Sequence, residues 1–253
     1  MDLFRKTVKR VVPSRLLDTA YMCGYTGSVL TRLWGFGEGL QPAHCFVCGA
    51  TSRFTAFGIP PRFQARCPSC GSLERHRLFV MLDEREHVFQ DKCVLHFAPE
   101  PILQKRIKKT SARYLSADIY GWRADIKLNI EQIDQPDESW DVVVASHVLE
   151  HVNDQMAMRE MYRILRPGGK CITMTPVIEG WESTYENPAI TEPGDRVTHF
   201  GQADHVRYYG RDFKTRLEHA GFVVREFCAT GSECVEHALL RGEKIFIGSK
   251  ESW

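Results

Sequence analysis

From Asp91 onward the sequence alternates between short apolar runs and helix-length amphipathic stretches, and few folds accept that pattern. Cys93–Ala98 (CVLHFA) reads as a short buried strand. Pro101–Lys109 reads as a helix with proline in its first turn, where the missing N–H costs nothing. Tyr114–Ile119 is a second strand, and Trp122–Leu128 has room for a third. Asp141–Ser146 (DVVVAS) is a valine run preceded by a turn at Pro136–Trp140, the pattern of a central parallel strand. Asn153 caps a helix that ends near Arg166, where Pro167-Gly168-Gly169 stops it. Cys171–Thr175 is the next strand, Phe213–Ala220 a helix stopped by Gly221, and Phe222–Phe227 and Lys244–Ile247 the last strands. Residues 177–206 form a Pro/Gly/Glu-rich loop too long for a plain connection. The alternation predicts an α/β fold with a doubly wound, mostly parallel sheet. Ligands of such sheets sit at the carboxyl ends of the strands, which selects His96–Glu100, Asp118, Asp125 and Ser146–His147.

Ahead of this region stand two tight cysteine pairs. Cys45-Phe-Val-Cys48 and Cys67-Pro-Ser-Cys70 make the pattern C-x2-C-x18-C-x2-C, within the spacing of four-thiolate zinc sites. A two-residue gap lets both sulfurs of a knuckle reach one ion, and two knuckles complete a tetrahedron. Gly49 and Gly71 follow the second cysteine of each knuckle, where the backbone turns sharply. Four protein ligands leave no open position, so the zinc expected here is structural. The remaining five of nine cysteines are scattered, and an odd count does not make a disulfide framework. That usage predicts a reducing compartment, and with no apolar signal core after Met1–Arg10 it points to the cytoplasm. No apolar run approaches the roughly 18 residues of a membrane span. Lys+Arg 33 against Asp+Glu 32 gives a net charge of +1, which excludes a globally basic nucleic-acid-binding surface. The organisation expected is a helical segment at residues 1–40, a zinc-ribbon-like module at 41–71, a linking helix at 72–91 and the α/β domain at 92–253.

Asp141-Val-Val-Val-Ala-Ser-His-Val-Leu-Glu-His-Val152, followed after a helix by Arg163-Ile-Leu-Arg-Pro-Gly-Gly169, resembles the class I S-adenosylmethionine-dependent methyltransferases of type 11. A narrower resemblance links Cys45, the run Cys67-Pro-Ser-Cys-Gly-Ser-Leu-Glu-Arg-His-Arg-Leu78 and Leu95-His-Phe-Ala-Pro-Glu100 to a bacterial group of zinc-containing methyltransferases of unassigned substrate. The resemblance implies a seven-stranded Rossmann-like sheet with S-adenosylmethionine as cofactor. It implies that Asp118 accepts both ribose hydroxyls, since two carboxylate oxygens match a vicinal diol. It assigns Asp125 and Ile126 to the adenine, and Ser146 and His147 to the side where the methyl acceptor approaches. The first loop, His96-Phe-Ala-Pro-Glu-Pro101, departs from the family because it holds no glycine. In it His96 flanks the cofactor, Ala98 is small enough for close approach, and Glu100 stands where it could meet the cofactor's ammonium group. A nicotinamide dehydrogenase is excluded, because its pyrophosphate needs the glycine-rich turn.

Methyl transfer from a sulfonium is an in-line displacement, so catalysis is mainly alignment and exclusion of water. A base matters where the acceptor must lose a proton, and histidine suits that near neutral pH. His147 is one candidate, with Glu150 and His151 following it. His205, in Asp204-His205-Val-Arg207-Tyr208-Tyr209, is the other, with Arg207 able to clamp a carboxylate or phosphate. The near-neutral charge favours a small-molecule or glycan acceptor. Two alternatives stay open. One is an RNA methyltransferase gripping nucleic acid through Arg53, Arg62, Arg66, Arg75 and Arg77 with Phe54, Phe57 and Phe63. The other is a non-catalytic scaffold that keeps the fold.

Overall fold

A computed structural model describes residues 41–58, 61–121 and 123–251, so the helical reading of residues 1–40 lies outside it. The chain divides into two compact units, one ending at Arg77 and including Ser232–Leu240, the other formed by Leu78–Gly231 and the chain from Arg241 on.

The smaller unit is built on turns. Strand β1 (Ala43–His44) pairs antiparallel with β2 (Thr51–Ser52), and β3 (Thr55–Phe57) with β4 (Arg62–Arg66). Each cysteine knuckle closes the same way. Gly49 N donates to Cys45 O at 2.8 Å, and Gly71 N to Cys67 O at 2.9 Å. Both glycines have φ near +75° (74° and 75°), the left-handed conformation that a side chain resists. The core behind the knuckles is Ala43, Cys45, Phe54, Cys67 and Ala238. Arg77 is fully buried beside it, 4.7 Å over the Phe54 ring. Its guanidinium donates to the carbonyls of Ser72, Ala65, His237 and Ala238, so its fork of donors is satisfied by backbone alone. Helix α1 (Glu74–Glu86) follows; Leu78 to Leu82 are all buried. Ser72 could be expected to cap this helix, but its hydroxyl lies against the sulfurs of Cys45 and Cys70, and His76 Nδ1 accepts from Leu73 N instead.

The larger unit is the doubly wound sheet. In chain order it contains β5 (Cys93–Phe97), α2 (Pro101–Thr110), β6 (Arg113–Asp118), β7 (Ile126–Lys127), β8 (Trp140–Ser146), α3 (Asp154–Ile164) and β9 (Leu165–Met174). Then come β10 (Tyr185–Glu186), α4 (Pro193–Phe200), β11 (Arg207–Tyr208), α5 (Phe213–His219), β12 (Val223–Cys228) and β13 (Lys244–Ser249); α6 (Gly231–Glu236), between the last two strands in sequence, belongs to the smaller unit from Ser232 on. Seven strands form one sheet in the order β12-β13-β9-β8-β5-β6-β7. All neighbours are parallel except β13, which runs antiparallel to both β9 and β12. Val142, Val143 and Val144 of β8 pair with Val94, Leu95 and His96 of β5, and all are buried, as a strand covered on both faces requires. The strand order reverses between β5 and β8, so the crevice at their carboxyl ends is the topological switch point of the sheet.

Two local differences from the sequence reading have clear causes. Asn153 caps α3 as expected, its side chain accepting from Met156 N at 3.2 Å. The helix nevertheless ends at Ile164, and Arg166-Pro-Gly-Gly lies inside β9. Gly168 there has φ of +77°, and a Cβ on Gly169 would stand 2.8 Å from the Arg166 carbonyl. The proline–glycine run therefore bends a strand rather than simply stopping a helix. Residues 177–206 are also not plain loop: they hold α4, and β10 pairs antiparallel with β11.

Candidate active site

At the switch point the backbone turns sharply twice. Ala98 leaves β5 with φ of +46°, and His147 leaves β8 with φ of +54°. Both adopt the left-handed conformation, which costs a non-glycine residue roughly 1–2 kcal/mol. Ala98 N donates to Ala117 O at 2.8 Å and His147 N to Met174 O at 2.7 Å, so the neighbouring strands hold both turns.

Between these turns lies a cavity of about 460 Å³. Its walls come from Phe97 and Ala98, from Asp118 to Tyr120, from Leu128 to Ile130, and from His147, Val148, His151 and Val152, with Arg196 and Asp204 at the far side. Asp118 ends β6, and its Oδ1 accepts from Tyr120 N at 2.7 Å, which fixes the carboxylate in a turn. Of the residues selected from sequence, Ala98, Asp118 and His147 meet on this one cavity.

The other selected residues lie elsewhere. His96 is fully buried in β5, bonded to the Tyr114 hydroxyl at 3.0 Å, and burial holds its pKa down at about 4. Glu100 is the residue before α2 and does not line the cavity. Asp125 is turned onto β6: its Oδ2 accepts from Ser116 N at 2.9 Å and from Ser116 Oγ at 2.7 Å. Those bonds hold its carboxyl below the usual range. Ile126 lies in β7, and Ser146 is buried at the end of β8 without a partner for its hydroxyl. The wall facing Asp118 is made by Asn129 and Ile130. A signal for them exists in the sequence. The rule that ligands meet the carboxyl end of a strand points past β7, which is only Ile126–Lys127, and not into it.

On the far side a polar cluster is assembled by the turn Leu149–His151 and the segment before β11. Glu150 is 2% exposed. Its Oε1 lies 3.2 Å from His147 Nδ1, and its Oε2 accepts from Thr175 Oγ1 at 3.1 Å. Burial alone would raise its pKa, but the hydrogen bond and charge of His147 outweigh this and hold it below the usual range. His147 Nδ1 and Glu150 Oε1 stand at hydrogen-bond distance, and His147 Nε2 is buried with no hydrogen-bond partner. His205 is 4% exposed, and its ring meets that of His151 edge-on with centroids 4.6 Å apart. Burial and the adjacent His151 keep His205 below the usual histidine range. His151 Nδ1 lies 3.3 Å from Asp204 Oδ2.

Arg207, a candidate anion clamp in the sequence, is engaged internally. It donates to the carbonyls of Leu149 and Val152 and to Glu186 Oε2. Arg216 in turn grips the buried Asp154 with two bonds, at 2.7 and 3.0 Å. Of the basic and aromatic set of the smaller unit, Arg62 is paired with Glu74 at 2.8 Å and Phe54 and Arg77 are buried, whereas Arg53, Arg66, Phe57 and Phe63 are exposed. In the same unit the four cysteine sulfurs converge within 4.8 Å of one another, with Cys45 Sγ to Cys70 Sγ at 3.7 Å and Cys48 Sγ to Cys67 Sγ at 3.9 Å. No helix among the described residues is long and apolar enough to cross a membrane.

Comparison with known proteins agrees with this geometry. The chain is 29% identical over 113 residues to the ubiquinone/menaquinone biosynthesis C-methyltransferase of Escherichia coli O1:K1 / APEC, a match covering 38% of this chain and 44% of that enzyme. It is 43% identical over 61 residues to the demethylmenaquinone methyltransferase of Listeria welshimeri, covering 22% and 26%. The chain thus spans less than half the length of these curated relatives. Among solved structures, the 1,6-didemethyltoxoflavin-N1-methyltransferase of Burkholderia thailandensis superposes with a TM-score of 0.48 at 13% identity, over 69% of this chain and 77% of that one. The sequence pattern described as a methyltransferase domain matches residues 80–226, more than half of the chain, and spans β5 to β12 up to Glu226. By that match the chain belongs to the methyltransferase domain family.

Proposed function

We propose that the protein is an S-adenosylmethionine-dependent methyltransferase that moves a methyl group to a small-molecule or glycan acceptor. The observation that carries this reading is the cavity at the switch point, which joins Asp118 on one wall to the His147–Glu150 pair on another. S-adenosylmethionine supplies a methyl group already activated on a sulfonium. Asp118 accepts the ribose hydroxyls, and the turn at Tyr120 N keeps it oriented for that. Asn129 and Ile130 form the wall for the base, with the Asn129 amide as the polar group that reads a purine edge. Ala98 lets the backbone come close. His147, steered by Glu150, takes a proton from the acceptor at Nε2, and His205 orients the acceptor. A cavity of about 460 Å³ suits small molecules, and the quinone-biosynthesis names of the relatives support an acceptor of that size.

Zinc is the metal we propose for Cys45, Cys48, Cys67 and Cys70. Zn–S bonds of about 2.3 Å in a tetrahedron place the sulfurs about 3.8 Å apart. The observed 3.7 and 3.9 Å separations match that geometry. Ser72, beside two of the sulfurs, is suited to orient them. This thiol chemistry supports a reducing compartment, the cytoplasm.

The reading is tested by calorimetric titration of the zinc-loaded protein with S-adenosylmethionine, beside Asp118→Ala. We expect wild type to bind near micromolar, about −8 kcal/mol, and the variant at least about tenfold more weakly. If folded wild type does not bind, the scaffold alternative replaces this one. If wild type binds, transfer of a radiolabelled methyl group identifies the acceptor among candidate small molecules.

A further inference from the structure

We propose that Glu150, His151 and His205 bind a divalent transition-metal cation at the acceptor end of the cavity, in a site separate from the four cysteines. One ligand atom from each of the three residues lies within 4.8 Å of the others. Nitrogen and oxygen ligands at about 2.1 Å from a metal stand roughly 3.0–3.4 Å apart, so a small inward turn of the side chains closes the site. His151 is partly exposed. Two imidazoles and one carboxylate are a donor set that borderline cations such as zinc, iron(II), cobalt(II) and manganese(II) accept.

Two features distinguish this cluster from a chance meeting of polar side chains. His205 is only 4% exposed, yet its Nδ1 has no hydrogen-bond partner. A buried imidazole nitrogen left unbonded is costly unless something occupies it. Second, the outer contacts are those of ligands held in place. Asp204 Oδ2 lies 3.3 Å from His151 Nδ1, which directs the proton there and frees Nε2. The two oxygens of Glu150 are steadied by His147 and Thr175. Three protein ligands leave positions open, and His151 itself lines the cavity.

The binding claim stands apart from the methyl-transfer reading; its role in chemistry rests on it. A cation bound here would lower the pKa of a coordinated acceptor hydroxyl. The O–H proton then passes to His147 Nε2, the O–CH3 bond forms, and the S–CH3 bond of the sulfonium breaks to leave a neutral thioether.

The test uses the full chain loaded with one equivalent of zinc and titrated with cobalt(II), read by its visible absorption. Cobalt on imidazole and carboxylate shows ligand-field bands without the thiolate charge-transfer band, so the two sites are told apart. We expect one further equivalent in wild type, and binding weakened at least about tenfold in both His151→Ala and His205→Gln. Absence of any cobalt beyond the cysteine site in wild type overturns the proposal, whatever the variants do. So does unchanged affinity in the partly exposed and readily tolerated His151→Ala. Titration of the same samples with S-adenosylmethionine reports separately on the cofactor site.

Discussion

Ala98 carries the site's most unusual backbone feature, because it stands in a left-handed conformation with φ of +46° where a glycine would be unstrained. The absence of glycine in His96–Pro101 is plain in the sequence, but its consequence is not. The chain makes the turn anyway, held by the Ala98 N to Ala117 O bond of 2.8 Å. An alanine in this conformation costs roughly 1–2 kcal/mol, and a glycine loses roughly 0.5–1 kcal/mol of unfolded-chain freedom. Ala98→Gly is therefore expected to raise stability by about 0.5–1 kcal/mol, measured as a shift of the urea midpoint at constant slope. A loss of stability would show that the turn is not strained. At the same scale, Asp118 and His147 were legible, because each follows a run whose apolar pattern fixes where its strand ends. Asp125 illustrates the opposite. Its acidity and position suit a ligand, but only coordinates show its carboxylate bonded to Ser116. Asn129 is polar and unremarkable in sequence, and becomes notable only because β7 is two residues long.

At the scale of elements, the central strands were the most legible part, since an unbroken valine run fits little except a strand covered on both faces. What ties those strands at their amino ends was not legible. Asp141 opens the run, and its Oδ2 accepts from Cys93 N at 2.7 Å while its Oδ1 accepts from Arg166 at 2.8 Å. One carboxylate thus joins β8 to the start of β5 and to the bent strand β9. Burial raises its pKa, but these two partners outweigh that and hold it below the usual carboxylate range. A depressed pKa contributes stability above the unfolded value of about 3.9, and that contribution is lost as pH falls through the lower folded value. Asp141→Asn is expected to cost about 1–2 kcal/mol at neutral pH, reduced from a buried pair because Arg166 is 44% exposed. The difference between wild type and variant should shrink progressively below about pH 4. Denaturant unfolding at neutral and acid pH checks this, and a pH-independent difference would mean that the tie acts through shape and not charge. The segment 177–206 was legible as too long for a plain connection but not as structured, because its short helix and two-residue strand draw their order from long-range partners. Glu186, for example, is held by Arg207 at 2.9 Å.

At the scale of the whole molecule, the two compact units are held together by different physics. The larger unit has an extended apolar core running from Leu95 through Trp140 and Met161 to Phe246. The smaller one has Ala43, Phe54 and Ala238, with Cys45 and Cys67 as the rest of its buried cluster. Among the described residues Phe54 is the one large side chain of that cluster, and burying a phenylalanine contributes about 1.5–3 kcal/mol against knuckles that each cost backbone freedom. The paired cysteine spacing leads us to propose that a metal supplies the rest, and the sulfur separations of 3.7 and 3.9 Å support that reading. Zinc bound by such thiolate sets contributes about 10–16 kcal/mol in isolated modules, far more than the apolar contacts here. Removal of zinc by a strong chelator should therefore unfold the smaller unit and leave the core of the larger one folded. In calorimetry of the full chain, chelation is expected to remove one transition and retain the other. The retained transition should be the one that S-adenosylmethionine raises, by the linkage that stabilises whichever state binds it. A single transition, unchanged by the chelator, would show that the four thiols hold their geometry without a metal and that Phe54 and Arg77 suffice to order the unit.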